Sequence, residues 1–576
     1  MRILLATLIA LLPALAAAQD KPDYREMHRE AARKYFNSFE QGLLLSGRIE
    51  QNGSEGDFRA VFHDDVWIVK YNYGDLQSIS YYGEKGNWAG SNYTLPYQIE
   101  EKDSPSNAVM NILASGDYLN DPWWDDMHYI DEDAGGYNFV FSPEGLPPVK
   151  LVMFSDKDDP EYMQVMTSEV RFAPDDPESI TYRTFYYYTT DEEGRLITEK
   201  ETSSELDQNG NRINFTEYIV DHTEMVEDIP AEFNFDFERH PVGNPQQLAP
   251  EGVDVDIVVK NGYMFVPLSF EGSDNTHYFL LDTGASASLF SPAAAADANF
   301  ETSLNTKAHG HGSSADFSIG LCESAYLGTA SGDHVKLSGF PATVIDPGSS
   351  QVLIDTLGSY GASGLMGISL FHQYVTRFDL PNNRITLYNA DNFDPDTALS
   401  RPYAFLELDV EDLVYALGRL NYSVLGEVVI DTGLQLDLAL LSETLDHYGV
   451  ELEKQYSGES TVVGGVRKFD FVNVPAFDIG PLHLENKIAS LTSDDRGTMS
   501  GRLLLGYVGV FFFQQQRVTL DLFNQKMYIE PDAEVQQQMR ENFEAQQQAA
   551  SDGEDAPADP AGGDEMATSQ EEGNGG

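Results

Sequence analysis

A hydrophobic run that ends in Asp-Thr-Gly occurs twice, as Leu280-Leu281-Asp282-Thr283-Gly284-Ala285-Ser286 and as Val429-Ile430-Asp431-Thr432-Gly433. One copy would say little, since Asp and Gly are ordinary turn residues and the tripeptide often just ends a strand. Two copies, with the aspartates 149 residues apart, predict two half-sites built to face each other. They would bring two carboxylates into one site.

The surroundings repeat as well. At an offset of 152, Gly312 falls on Gly464, Phe317 on Phe469 and Gly328 on Gly480. Further on, Gly364-Leu365-Met366-Gly367 pairs with Leu503-Leu504-Leu505-Gly506 at an offset of 139, and Asp379-Leu380-Pro381-Asn382-Asn383 with Asp521-Leu522-Phe523-Asn524-Gln525 at 142. Drifting offsets are what insertions and deletions leave in two diverged copies of one unit. Before the first copy, Val253–Lys260, Tyr263–Phe270 and His277–Leu281 read as three strands, the last running straight into Asp282.

On these residues the stretch from about 250 to 531 resembles the aspartic protease family, with Asp-Thr-Gly-Ala-Ser nearest its retropepsin-like branch. The resemblance implies a bilobal β fold in which each lobe supplies an Asp-Thr-Gly loop, a flap hairpin and a hydrophobic-hydrophobic-Gly strand crossing behind the loop. It assigns Asp282 and Asp431 as the catalytic pair, with Thr283, Gly284, Thr432 and Gly433 supporting them and the two threonines hydrogen-bonded across the lobe interface. The flap and substrate-binding candidates are Gly310, His311 and Gly312 in the first lobe and Gly464 and Gly465 in the second. The crossing strands are Leu365-Met366-Gly367 and Leu504-Leu505-Gly506. Leu434-Gln435 departs from the pattern, since a small or hydroxyl residue is expected after Gly433. A bulky side chain there narrows the cleft or marks a lobe kept for structure.

The chemistry of the pair does not need the family. Two carboxyl groups a few ångströms apart cannot both ionise cheaply, so they share a proton. The ionised member can take a proton from a bound water while the protonated one hydrogen-bonds the scissile carbonyl. No cofactor and no metal is required. The sequence has no His-Glu-x-x-His and no Gly-x-Ser-x-Gly. His309 and His311 read as flap residues rather than ligands, and Asp207-Gln208-Asn209-Gly210-Asn211 as a hairpin turn rather than a calcium loop.

Upstream the texture differs. Tyr24, Met27, Ala31 and Tyr35 recur at helical spacing from Asp23 to about Phe39. From Leu43 to about Phe237, alternating aromatic-rich segments are broken by turns such as Asn52-Gly53 and Asn209-Gly210, the signature of hairpin-linked antiparallel strands. One helix and a long meander are similar to the half-barrel of lipoprotein carriers. The region is rich in acids, unlike the short basic pro-segments of aspartic proteases. Trp123-Trp124 reads as core or a rim aromatic.

The expected fold class is thus mainly all-β: an antiparallel β-meander half-barrel with one helix, a bilobal aspartic-protease-like half, and a disordered acidic tail. The domains are read as 1–18 signal peptide, 19–245 β-rich, 246–395 and 396–532 the two lobes, and 533–576 tail, with a short helix near Val535–Phe543. Met1-Arg2, the apolar run Ile3–Leu15 and Ala16-Ala17-Ala18 have the form of a cleaved secretory signal, giving a periplasmic or extracellular protein without a stable membrane anchor. Lys+Arg of 35 against Asp+Glu of 94 repels phosphate backbones, so nucleic acid is not an expected partner. The lone Cys322 reads as a small core residue.

The expected function is an endopeptidase acting on polypeptide, as a monomer with both lobes in one chain. The alternative is an inactive protease-like peptide binder whose N-terminal domain holds a ligand or partner.

Overall fold

The computed structural model describes residues 23–37, 42–63, 66–83, 85–99, 119–120, 123–133, 136–143, 148–156, 159–171, 181–190, 196–207, 209–260, 262–310, 313–328, 334–345, 355–400, 403–462, 465–492, 504–509 and 516–530. The chain up to Glu530 forms one compact unit and Pro531–Gly576 a second. The second unit, with the expected acidic tail and its short helix, lies outside the described residues, as does the signal segment.

The expected mainly β class holds. Thirteen strands, from β1 (Leu43–Gln51) and β2 (Ser54–His63) to β13 (Arg212–Met225), pair in one antiparallel sheet. The first and last strands meet in its middle, Leu43 opposite Met225, and consecutive hairpins run outward to Tyr97–Ile99 on one side and Met127–Asp133 on the other. Alternation along each strand gives the sheet two apolar faces, and each is covered in part. The helix Tyr24–Asn37 lays Ala31, Ala32 and Met27 on Phe139, Phe141 and Leu151, while Arg25 and Arg29 sit over the buried ring of Trp124. On the reverse face Phe233, Phe235 and Phe237 pack against Val61, Ile68 and Tyr81. The Pro- and Gly-bearing stretch that follows sends Val242 and Leu248 into the main core. Asp207 is the hairpin turn expected of it, its Oδ1 accepting from the N–H groups of Asn209 and Asn211, both at 2.8 Å.

The second half is built twice. The first copy runs β14 (Val253–Asp256), β15 (Val258–Lys260), β16 (Tyr263–Ser269), β17 (Thr276–Leu281), β18 (Ser288–Phe290), β19 (Leu304–Gly310), β20 (Ser313–Leu327), β21 (Val335–Ile345), β22 (Gly364–Met366), β23 (Val375–Asp379) and β24 (Arg384–Tyr388). The second runs β25 (Ala404–Val410), β26 (Val414–Leu420), β27 (Val424–Asp431), β28 (Leu438–Leu441), β29 (Glu453–Val462), β30 (Gly465–Ile479), β31 (Leu482–Thr492), β32 (Leu504–Gly509), β33 (Arg517–Asp521) and β34 (Lys526–Glu530). The sheet order β15-β16-β17-β22-β18-β21-β20-β19 is matched strand for strand by β25-β26-β27-β32-β28-β31-β30-β29. Even the extra pairing β16–β20 has its counterpart in β26–β30.

One expected strand proves to be two. Val253–Lys260 breaks at Ile257 into β14, which pairs with β24, and β15, which pairs with β16. In the second copy β25 stays continuous and pairs with both β34 and β26. A shared sheet results, in the order β14-β24-β23-β33-β34-β25. At its centre Arg377 lies opposite Thr519, flanked by Thr376 opposite Leu520 and Phe378 opposite Val518. Arg377 and Thr519 are equivalent positions at the offset of 142, so a local two-fold axis passes through that pair.

The axis is not strict in its chemistry. Arg377 donates through Nε and Nη2 to Glu530, both at 2.7 Å, with the two side chains only 13% and 2% exposed. Stranding one ion of a buried bidentate pair is far more costly than replacing both. Arg377→Ala is therefore expected to lower stability by about 3–5 kcal/mol in chemical denaturation. Arg377→Met/Glu530→Gln, which keeps an acceptor for the Ser400 N–H, should recover at least half of the loss.

Candidate active site

Two buried strands deliver the aspartates. β17 pairs in parallel with β22, Leu281 opposite Met366, and β27 with β32, Ile430 opposite Val508. Because parallel strands flanked on both faces need continuous apolar sequence, the hydrophobic runs before each Asp-Thr-Gly are a packing requirement. At their ends the chain turns, and Asp282 and Asp431 meet.

The threonines hold the meeting point. Thr283 N–H donates to Thr432 Oγ1 (3.1 Å) and Thr432 N–H to Thr283 Oγ1 (3.0 Å). Each hydroxyl then donates onward across the midline, Thr283 Oγ1 to Ile430 O (2.6 Å) and Thr432 Oγ1 to Leu281 O (3.0 Å). Both threonines are buried. A serine could supply the hydroxyl, but the methyl also fills a dry site, where a β-branched rotamer is held stiffly.

The glycines are needed for close approach rather than for a special φ. A Cβ added to Gly284 would lie 2.6 Å from Asp431 Cγ, and one added to Gly433 2.5 Å from Asp282 Cγ. Each carboxyl group therefore rests on the glycine of the opposite copy. Asp282 Oδ1 accepts from Gly284 N–H (3.0 Å), while Asp431 Oδ1 accepts from Gly433 N–H (2.8 Å) and Leu434 N–H (3.1 Å). The side chains keep some access to solvent although protein surrounds them closely. Burial raises both pKa values: Asp282 above its ordinary range, with the bond to Asp431 and the Gly284 N–H opposing, and Asp431 well above it, with the Asp282 charge adding to burial. Two carboxyls so placed titrate as a pair.

The crossing strand of the second copy needs correction. The register places Gly506 opposite Val428 and Gly509 opposite Asp431. Gly509, not Gly506, is thus the counterpart of Gly367, and Gly506 that of Gly364. The strand behind the second loop is Gly506-Tyr507-Val508-Gly509. It fits Gly364-Leu365-Met366-Gly367 at the same offset of 142 as the strands that follow. The glycines carry the equivalence, since Cβ atoms at Gly367 and Gly509 would strike the backbone oxygens of Ala285 and Leu434 respectively.

Leu434 also reads differently in place. Its side chain packs on the buried cluster of Tyr415, Val429, Ala439 and Tyr507. The matching cluster in the first copy holds Phe265, Leu280, Leu289 and Phe317, with Tyr263 and Tyr360 against it. Tyr263 was not evident from sequence, where it is simply the first residue of a strand. Its phenol is pushed up to about 12 by burial, then by Tyr360, Asp431 and Asp282. Its ring meets that of Tyr360 edge-on at 5.2 Å.

Among the flap candidates, Gly310 ends β19 opposite Ser313, and Gly465 opens β30 opposite Val462. His311, Gly312 and Gly464 lie outside the described residues. The β19–β20 hairpin is anchored by the first sheet. Asn305 N–H donates to Ser54 Oγ (2.7 Å), Asn52 Nδ2 reaches Asn305 O (3.5 Å), and Leu304, Ile319 and Leu321 pack against the sheet. Cys322 is buried, its thiol pushed up to about 12 by desolvation.

Two outcomes follow for this geometry. Gly284→Ala and Gly433→Ala should each force the carboxyls apart and remove the elevation of pKa, read as a fall in the higher carboxyl pKa by NMR titration. Thr283→Val and Thr432→Val should each cost about 1–3 kcal/mol, because every deletion strands a buried donor. The double variant should cost less than their sum, since the two share one network.

Neither a family model nor a curated protein matches the chain. Among solved structures it is similar to basic 7S globulin from soybean, at 12% identity over 49% of this chain and 95% of that one, with a TM-score of 0.31. It is also similar to the aspartic proteinase from Irpex lacteus, at 10% identity over 49% of this chain and 98% of that one, with a TM-score of 0.30. At such values the likenesses add nothing to the topology and geometry already described.

Proposed function

We propose that the protein is an exported aspartic endopeptidase acting as a monomer on polypeptide, with Asp282 and Asp431 sharing one water. The observation that carries this reading is the reciprocal seating of each carboxyl on the other copy's glycine, inside a hydrogen-bonded threonine lock. Such a seat brings two carboxyls together at a cost in desolvation that packing alone does not require.

In this reading the ionised member removes a proton from water, the water oxygen attacks the peptide carbonyl carbon, and the protonated member donates to the carbonyl oxygen. Collapse of the tetrahedral adduct returns a proton to the leaving nitrogen. Asp431 accepts one more backbone N–H than Asp282, yet its pKa is raised further. The proton is therefore assigned to the pair and not to one residue. The β19–β20 and β29–β30 hairpins hold the substrate as an extended strand.

The test is hydrolysis of an unfolded protein by residues 19–576, from acid to neutral pH, beside Asp282→Asn and Asp431→Asn. Wild-type activity lost by at least about a thousandfold in both variants is expected; activity surviving in either removes the two-carboxylate mechanism. Activity should fall as pH rises through the upper pKa of the pair, because the proton donor is then gone. Stability has the same sign. Carboxyls whose folded pKa is raised bind more protons folded than unfolded, so they cost stability as pH rises above the ordinary carboxylate range. Asp431→Asn should thus melt higher than wild type at pH 7, and the gap should close below pH 4, as followed by thermal unfolding. Ser54→Ala, which frees the Asn305 N–H, should raise KM for polypeptide with little change in kcat.

A further inference from the structure

We infer that the face of the first sheet carrying Glu201 is a binding site for an organic monocation, a primary ammonium on an apolar chain. The inference is independent of the proposed protease activity.

Glu201 lies on β12 (Leu196–Leu206), opposite Tyr186 of β11 (Thr181–Thr190) on one side and Tyr218 of β13 on the other. In a pleated sheet, directly opposed residues share a face, so the carboxyl group is bracketed by two phenols. Beyond Tyr218 the same face carries Phe58, edge-on to Tyr218 at 5.7 Å, and Tyr71, 6.1 Å from it and hydrogen-bonded to it. A ladder of stacked rings, Phe62, Trp67 and Tyr82, continues the face at 5.4 and 4.9 Å.

Among the described residues no group donates a hydrogen bond or a charge to Glu201. The neighbouring cation on its own strand, Lys200, points to the other face and is paired with Glu217. The groups that do face it, Tyr71, Tyr186 and Tyr218, with Tyr73 beyond, are neutral phenols, and burial pushes Glu201 up to about 7. A desolvated, unmatched carboxyl is costly, and in this setting a glutamine would be cheaper. The side chain nevertheless keeps partial solvent access, so a ligand can reach it.

The two kinds of group present select the ligand. Tyrosine and tryptophan faces attract cations through their quadrupoles, and a desolvated carboxylate attracts them by charge. Anions are repelled by both. Leu304, Ile319 and Leu321 of the β19–β20 hairpin, with Ile49, give the apolar wall along which an alkyl chain can lie. Bound cation would hold Glu201 ionised, so affinity should rise with pH until the carboxyl is fully charged.

The experiment is calorimetric titration of the full mature chain with n-hexylammonium, n-hexanol and hexanoate at pH 8 and pH 5, beside Glu201→Gln. Hexylammonium is expected to bind at pH 8 and to weaken about tenfold or more at pH 5. The isosteric Glu201→Gln, shown folded by its near-UV circular dichroism, should weaken it about tenfold or more at pH 8. Hexanol should bind no better to wild type than to the variant. An N-acetylated tripeptide amide with a central lysine tells the sources apart: binding as tight as hexylammonium assigns a polypeptide side chain, weaker binding a free amine. Equal binding of hexanol and hexylammonium, unchanged binding to Glu201→Gln, or no binding of hexylammonium in the millimolar range would each overturn the site.

Discussion

Two threonine hydroxyls, each accepting from one backbone N–H and donating to one carbonyl across the midline, are the contact on which the site depends. Remove the reciprocity and nothing in either Asp-Thr-Gly loop alone would set a carboxyl against the facing glycine. Below this lock, β23 and β33 run antiparallel with Arg377 opposite Thr519. The small cavity between them is lined by apolar side chains, Met264, Phe378, Leu380, Ile430, Val518 and Leu520, together with Thr432. A largely apolar column therefore joins the shared sheet to the carboxyl pair. That is the setting in which hydrogen bonds and charges count most.

Duplication supplied the symmetry, and divergence has made the two sides unlike. Around Asp379 burial works against the charge, yet Asn382, Arg517 and Arg384 hold its carboxyl below the ordinary range. Its counterpart Asp521 has Asn524 opposing burial, and burial wins. Near the pair, Phe265 and Leu365 of the first copy correspond to Tyr415 and Tyr507 of the second, and Ala285 to Leu434. The second wall is filled by its own side chains, whereas the first carries the half-buried Tyr263 and Tyr360. The unequal walls give the two sides of the site different shapes from one backbone plan.

Much of this was legible in the sequence because close approach leaves compositional marks. Asp282 and Asp431 were evident from their hydrophobic runs, and the 152 offset tracks β20 onto β30 strand for strand. The crossing strand was misaligned because Leu-Leu-Gly at Leu504–Gly506 satisfies the hydrophobic pattern that Gly506–Gly509 serves in space. Only the register, or the shared offset of 142, separates them. From sequence Leu434 either narrows the cleft or marks a lobe kept for structure, since side-chain direction at a turn has no periodicity to reveal it. At Ile257, where one strand divides between two sheets, the Val-Asp alternation gives way to Ile257-Val258-Val259, a run that is compatible with one continuous strand. The hold of Ser54 on Asn305 joins residues 251 apart, and no local pattern marks such a pair.

The shared sheet also sets an order of events for a chain made from its N-terminus. The first Asp-Thr-Gly loop and most of its strands are present long before β33 and β34, which supply two of the six strands of the shared sheet and close the column under the pair. Until Arg517–Glu530 has emerged, β23 and β25 each lack the strand that joins the two copies. The seam under the carboxyl pair is thus closed by the last strands of the compact unit.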